Sequence, residues 1–137
     1  MKSLQDYVED RQTALFKETG VFFAFSKEQF DTQKQEGVTY VDCGIGMLCP
    51  RPNYQRLKEG LNTIHRDGMR QDLEENGAEG ILKREYFNYE THIAYGTQDL
   101  RDVYDMYREE YPEHFTEELF KRVVKECFDE AVENDMF

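Results

Sequence analysis

Two of the three prolines in this chain separate two kinds of sequence pattern. Pro50 and Pro52 follow short runs of β-branched and aromatic residues, and they precede a long stretch whose apolar residues recur at helical spacing. Proline cannot donate to a sheet ladder and disrupts a helix interior. We therefore expect the sheet to end at these prolines and helices to dominate the remainder of the chain.

Before the prolines, the patterns predict three short strands and two helices. One helix begins after Ser3 and runs to about Lys17, and a brief one follows Ser26, where Ser26 and Gln29 form a capping-box pattern. The predicted strands are Val21–Phe25, Val38–Val41 and Ile45–Leu48. Glycines and polar residues between them favour a small antiparallel sheet.

After the prolines, Asn53 is a candidate cap for a helix in which Gly60 and Gly68 predict weakness and a break near residues 66–68. Asn76-Gly77 indicates a turn before a further helix over residues 78–90. Two more helices are expected after Thr97 and after Thr116. The core face predicted for the last helix consists of Leu119, Phe120, Val123, Val124, Cys127, Phe128 and Val132. The predicted fold class is α+β, a small antiparallel sheet of about three strands packed with four to six helices, helix-rich in its C-terminal half.

Chain length and aromatic content predict a single compact domain over residues 1–137. A chain of 137 residues buries roughly two-thirds of its unfolded surface when it folds. Ten Phe and nine Tyr supply large contact areas that an acidic disordered segment would lack. We therefore expect a folded core.

The charge balance favours a basic partner. The chain contains 17 basic and 29 acidic residues, a net charge of −12, which disfavours direct binding to nucleic acid or to anionic membranes. Residues 97–137 hold 13 acidic and five basic side chains, so this segment carries −8 of the total. The predicted partner-binding residues are Asp102, Asp105, Glu109, Asp129, Glu130 and Glu133. An ordinary solvated helical face, supported by pairs such as Arg122–Glu126, is the alternative interpretation.

Residues 77–100 concentrate aromatic side chains with a few titratable groups. The candidate catalytic residues are Glu85, Glu90 and His92, because Glu85 and His92 share a face if the helix persists that far. The alternative is that aromatics such as Tyr86 and Phe87 tie the sheet to the C-terminal helices. Catalysis requires these three groups to converge in a pocket.

Other chemistry-bearing residues form no complete motif. Arg51 and Arg56 follow Gly44-Ile45-Gly46 and are candidates for binding an anion at a helix N-terminus, although a tight turn between strands explains the glycines better. Cys43 and Cys49 are not part of a CxxC pair, so we expect neither a metal nor a cofactor. Three cysteines and no signal-peptide pattern predict a reducing cytoplasm, and no apolar run is long enough for a membrane span.

The order of four motifs resembles short uncharacterised domains of bacteriophages and bacterial mobile elements. These motifs are FFAFSKEQF (22–30), GIGMLCPRPN (44–53), LKEGLNTI (57–64) and GAEGILKREYFNYE (77–90). Such domains tend to have Asn-His-Glu where this chain has Asn88-Tyr89-Glu90, so a role for that histidine does not transfer. The resemblance implies a mobile-element origin and no particular activity.

The leading hypothesis is a non-enzymatic cytoplasmic interaction protein, a phage accessory factor or inhibitor that binds a basic host protein by nucleic-acid mimicry. A small enzyme or anion- or nucleotide-binding domain that uses Glu85, Glu90 and His92 is the alternative. A self-associating structural protein, hence a homo-oligomer, is a third hypothesis. The three differ in what they require: an exposed acidic surface, a pocket, or an interface between copies.

Overall fold

A computed structural model of the chain describes residues 2–88 and 98–134, without the side chains of Gln98 and Asp99. The α-helices are α1 (Leu4–Thr19), α2 (Lys27–Gln33), α3 (Tyr54–Tyr86), α4 (Gln98–Glu110) and α5 (Glu117–Glu133), and the strands are β1 (Phe22–Phe23), β2 (Tyr40–Asp42) and β3 (Met47–Pro50). A 3₁₀ turn, Arg51–Asn53, leads into α3. The predicted α+β class with a helix-rich C-terminal half is confirmed.

The chain divides into two compact units, and their boundary falls within α3. Leu4–Gly68 form the N-terminal unit, and Met69–Phe137 together with Met1–Ser3 form the C-terminal unit. Each has its own buried core. The expectation of one domain over residues 1–137 stays a prediction.

The sheet of the N-terminal unit is antiparallel, with β3 between β1 and β2. The prediction that β3 begins at Ile45 is wrong, because Gly44, Ile45 and Gly46 all adopt positive φ and form the tight turn after β2. The amide of Met47 closes that turn by donating to the carbonyl of Gly44 at 2.9 Å. β3 therefore starts two residues later and includes Pro50, which pairs with Tyr40.

Helices α1 and α3 of the N-terminal unit approach closely at two glycines. A β-carbon at Gly60 would lie 2.7 Å from Leu15 Cδ2, and one at Gly68 would lie 2.4 Å from Val8 Cγ1. The predicted break near residues 66–68 is wrong, since α3 continues through them. The helix cost of these glycines is offset by the apolar packing that their missing side chains permit.

The predicted cap at Asn53 is also wrong. Asn53 lies inside the 3₁₀ turn, and its side-chain amide donates to the carbonyl of Thr19 at 2.9 Å. This hydrogen bond satisfies an otherwise unpaired carbonyl at the end of α1. Asn53 therefore connects the end of α1 to the start of α3.

The C-terminal unit contains a sharp bend at Gly77, where φ is 70° and ψ is 162°. This backbone conformation is accessible essentially to glycine alone. The bend confirms the turn predicted from Asn76-Gly77. Ile81, Leu82 and Tyr86 are buried beyond it. The prediction that this helix extends to residue 90 is wrong, since α3 ends at Tyr86.

Aromatic pairs join α4 to the segment that leads into and through α5. The rings of Tyr104 and Phe120 are 4.9 Å apart, and those of Tyr107 and Phe115 are 5.1 Å apart. Thr116 caps α5, as predicted, because its hydroxyl accepts from the amide of Leu119 at 3.2 Å. These contacts place the apolar faces of both helices in the core and leave their polar faces in solvent.

Candidate functional site: a buried carboxylate network and two acidic rows

The carboxylate of Asp72 is completely buried in the C-terminal unit and accepts four hydrogen bonds. The guanidinium of Arg84 donates to both oxygens, at 2.7 Å and 3.0 Å. The hydroxyl of Tyr107 donates at 2.5 Å, and the side-chain amide of Asn76 donates at 2.7 Å. The burial of Asp72 is thus balanced by two hydrogen bonds from the Arg84 guanidinium and by two from neutral donors.

The positions of Met69, Asp72 and Asn76 explain why this carboxylate faces inward. At spacings of three and four residues they lie on one side of a helix, and Met69 is 1% exposed. The bend at Gly77 then brings the following turn of α3 back toward them. Arg84 reaches Asp72 for this reason.

Glu85, one of the three candidate catalytic residues, belongs to the same network. Its carboxylate accepts from Nε of Arg84 at 3.1 Å and from Nη2 at 2.8 Å. Arg84 also donates to the carbonyl of Lys2 at 2.9 Å. Glu90 and His92 lie outside the described residues, so their convergence with Glu85 stays a prediction.

Two groups of this network, Tyr107 and Arg84, have raised pKa values and therefore keep their protons to higher pH. Burial raises the pKa of Tyr107, and its hydrogen bond to Asp72 raises that pKa further. Burial opposes the charge on Arg84, but the hydrogen bonds to Asp72 and Glu85 outweigh it, and the pKa of Arg84 is raised. General base catalysis needs an accessible lone pair with a pKa near the working pH. This arrangement is better suited to holding helices together.

The six predicted partner-binding residues are all exposed on α4 and α5. Asp102, Asp105 and Glu109 follow one side of α4 at spacings of three and four; we call them the α4 row. Asp129, Glu130 and Glu133 lie on the exposed side of the last turns of α5; we call them the α5 row. The α5 row makes no ion pair with any residue that the structure describes.

Other charges of these helices are neutralised locally. Glu117 pairs with Arg101 at 2.6 Å and with Arg108 at 3.5 Å, and hydrogen bonding to Arg101 lowers the pKa of Glu117. The predicted pair Arg122–Glu126 is confirmed at 3.3 Å. Arg122 also bridges to Glu79 at 3.1 Å. The ion pairs of Arg101, Arg108 and Arg122 are thus formed with Glu79, Glu117 and Glu126.

The two units differ strongly in charge. The C-terminal unit contains 19 acidic and nine basic residues, a net charge of −10, whereas the N-terminal unit contains ten and eight, a net charge of −2. Most of the acidic excess thus belongs to the unit that carries both rows.

The two predicted anion-binding arginines have different surroundings. Arg56 forms an exposed ion pair with Glu18 at 2.8 Å, whereas Arg51 lines a cavity of about 630 Å³. The Gly44–Gly46 turn precedes β3 and Arg51 follows it, so the turn and Arg51 lie at opposite ends of that strand. An anion site built from this turn and Arg51 is not assembled.

No group of three or more His, Cys, Asp or Glu in residues 2–88 and 98–134 is arranged to hold a metal ion. None of the described helices is both long and apolar enough to cross a membrane.

The fold and the site together define this chain as an α+β protein that has a buried ion network and an acidic, helical C-terminal unit. The chain belongs to a family of unknown function, DUF7659, whose model matches residues 4–130. No curated protein and no solved structure matched it.

Sequence reasoning missed the residues that organise the C-terminal unit. Asp72 and Arg84 were not singled out, and Tyr107 was predicted only to face inward. Asp72 lies three residues after the buried Met69, on the same side of the helix. A carboxylate at a core position signals a buried partner. Its partner twelve residues later depends on the bend, which only the three-dimensional structure shows.

Proposed function

We propose that this chain is a non-enzymatic interaction protein that binds a basic protein surface through the α4 row and the α5 row. The observation that carries the proposal is the exposure of all six carboxylates in a unit of net charge −10. Such a surface accelerates association with a basic partner through electrostatic steering.

The linear arrangement of the α4 row supports mimicry of nucleic acid. Its three charges, at residues 102, 105 and 109, are separated by two intervals that together span about 10 Å of helix axis, or about 5 Å each. One strand of B-DNA carries about one charge per 3.4 Å. The row is therefore a less dense line of negative charge than a phosphate backbone, but one that a Lys- or Arg-rich groove can still engage.

Apolar side chains next to the α5 row supply contact area. Phe128 and Val132 are 51% and 53% exposed, one helical turn apart, and the prediction that both belong to the core is wrong. The core face of α5 is instead Phe120, Val123, Cys127 and Ala131. Exposed aromatic and aliphatic groups beside charges are typical of protein interfaces, where a desolvated centre provides affinity and charges provide register.

The more specific form of the proposal is an accessory factor or inhibitor encoded by a mobile element and acting in the host cytoplasm. Its support is the resemblance to mobile-element domains together with the linear arrangement of the acidic rows. In this role the protein occupies a basic groove and excludes the nucleic acid that the groove otherwise binds.

The test is affinity capture from the native host with quantitative mass spectrometry, followed by binding measurements with the purified partner. Reversal of all six row carboxylates to Lys should abolish capture of a basic protein, and double-stranded DNA should compete with the wild type for that protein. Equal capture by the folded reversed variant would overturn the surface assignment. Capture that depends on the rows but resists DNA would overturn the mimicry alone.

A further inference from the structure

The N-terminal unit contains a cavity of about 630 Å³ between the end of α1, the segment that enters β2, and the turn that enters α3. We propose that this cavity binds a small organic anion, a carboxylate or phosphate monoester with an apolar body. The cavity belongs to the N-terminal unit, so the proposal is independent of the acidic rows. Its volume falls within the range of small-molecule sites, roughly 300–1,000 Å³.

Two cations line this cavity without a partner among the described residues. Lys17 projects from the last turn of α1, and Arg51 begins the 3₁₀ turn; both are exposed, and neither forms an ion pair with a described residue. Glu18 also lines the cavity, but Arg56 engages its carboxylate at 2.8 Å. The cationic pair is thus uncompensated in a chain of net charge −12.

Backbone and side-chain hydrogen bonds fix the cavity walls. The amide of Arg51 donates to the carbonyl of Thr39 at 2.8 Å, and Asn53 donates to Thr19 at 2.9 Å. The amide of Gln35 donates to the hydroxyl of Tyr40 at 3.0 Å. All three elements around the cavity are therefore tied together before a ligand arrives, which lowers the ordering cost of binding.

The remaining lining determines the ligand class. Val38, Pro50 and Pro52 present apolar surface, while Thr39 and Tyr40 carry hydroxyl groups. Arg and Lys bind carboxylate and phosphate oxygens, and the apolar wall accepts a hydrocarbon body. A ligand with one anionic head and an apolar ring or chain satisfies both halves of the lining.

The test is titration of the full chain with benzoate, phenyl phosphate and uncharged benzyl alcohol, followed by two-dimensional NMR of backbone amides. We expect benzoate or phenyl phosphate to saturate with a dissociation constant at or below about 1 mM and to shift residues 35–40 and 51–53. Benzyl alcohol should bind at least tenfold more weakly. Inorganic phosphate as a fourth probe shows whether the apolar body contributes.

Variants then locate the site. Lys17→Gln and Arg51→Gln should each weaken binding at least fivefold, whereas Lys58→Gln, an exposed cation of α3 that does not line the cavity, should leave it unchanged. Equal weakening by Lys58→Gln, or saturation that persists in the Lys17→Gln/Arg51→Gln double variant, would overturn the proposal. Failure of both organic anions to saturate would do the same.

Discussion

The guanidinium of Arg84 forks onto both oxygens of Asp72, although twelve residues of α3 separate the two. A straight helix would place their α-carbons about 18 Å apart, beyond the reach of any side-chain pair. The bend at Gly77 removes that distance, and Tyr107 of α4 completes the network. The ion pair therefore depends on the bend, and it also stabilises the bend.

Arg84→Met should destabilise the C-terminal unit by about 3–5 kcal/mol, because it leaves the buried carboxylate of Asp72 without its counter-charge. Urea denaturation followed by circular dichroism measures the change. The matched control is Arg122→Met, which removes an exposed bridge to Glu79 and should cost far less stability, because solvent screens an exposed ion pair. Similar losses of unfolding free energy in both variants would show that the buried Asp72 network stabilises the protein no more than an exposed ion pair does.

Gly77→Ala should cost about 1–3 kcal/mol, because alanine is strained at a φ of 70° and ψ of 162°. No heavy atom lies within 4 Å of the position that the new β-carbon would occupy, so the cost comes from the backbone alone. A D-alanine at this position, introduced by chemical ligation, favours positive φ and should restore stability. An undiminished midpoint for the L-alanine variant would contradict the bend.

Gly68→Ala should destabilise the N-terminal unit by about 1–3 kcal/mol, despite the better helix propensity of alanine, because its β-carbon meets Val8 Cγ1. Gly60→Ala should cost less, since it meets the flexible end of Leu15. Combining Gly68→Ala with Val8→Ala makes room for the β-carbon, so the two changes should be less than additive. Strict additivity in thermal or urea unfolding would count against close packing of α1 on α3.

Stability should fall as the pH rises from about 9 to 11. Burial raises the pKa of the Cys127 thiol to about 11 from an ordinary value of 9.0. The unfolded chain therefore loses this proton first, and stability that is complete below pH 9 is lost progressively toward pH 11. Tyr107, whose pKa is also raised, extends the loss to higher pH.

Urea unfolding at several pH values tests the thiol directly. One such group contributes a slope of up to about 1.4 kcal/mol per pH unit. Cys127→Ala should lower stability at neutral pH through its cavity but make the decline between pH 9 and 11 shallower. Parallel declines for the variant and the wild type would refute the assignment.

Local signals in the sequence were sufficient for several elements of the fold. The turn at Asn76-Gly77 and the cap at Thr116 depend on neighbouring residues, and both are observed. Gly60 and Gly68 were wrongly interpreted as positions that weaken the helix. Their contribution to stability comes from close packing against α1, which is distant in sequence. The Arg84–Asp72 pair was missed for the same reason.

In the candidate site, too, local patterns were sufficient for some residues, whereas others depended on contacts between residues distant in sequence. Charge patterning placed the two acidic rows on α4 and α5, and every member is exposed. Periodicity also placed Phe128 and Val132 on the core face, where a residue at the margin of an apolar stripe is hard to distinguish from one inside it. The contacts of Glu85 with Arg84 required the folded chain.

The central claim is that the position of the acidic rows, rather than total charge, determines partner binding. Two variants with equal net charge isolate position: Asp129, Glu130 and Glu133 changed to Lys in one, and Glu9, Asp10 and Glu36, exposed acids of the N-terminal unit, changed to Lys in the other. The measurement is the dissociation constant of each for the captured basic protein at about 0.15 M salt. We predict at least tenfold weaker binding for the α5-row variant and little change for the other. Equal weakening of both, or none in either, would contradict the account.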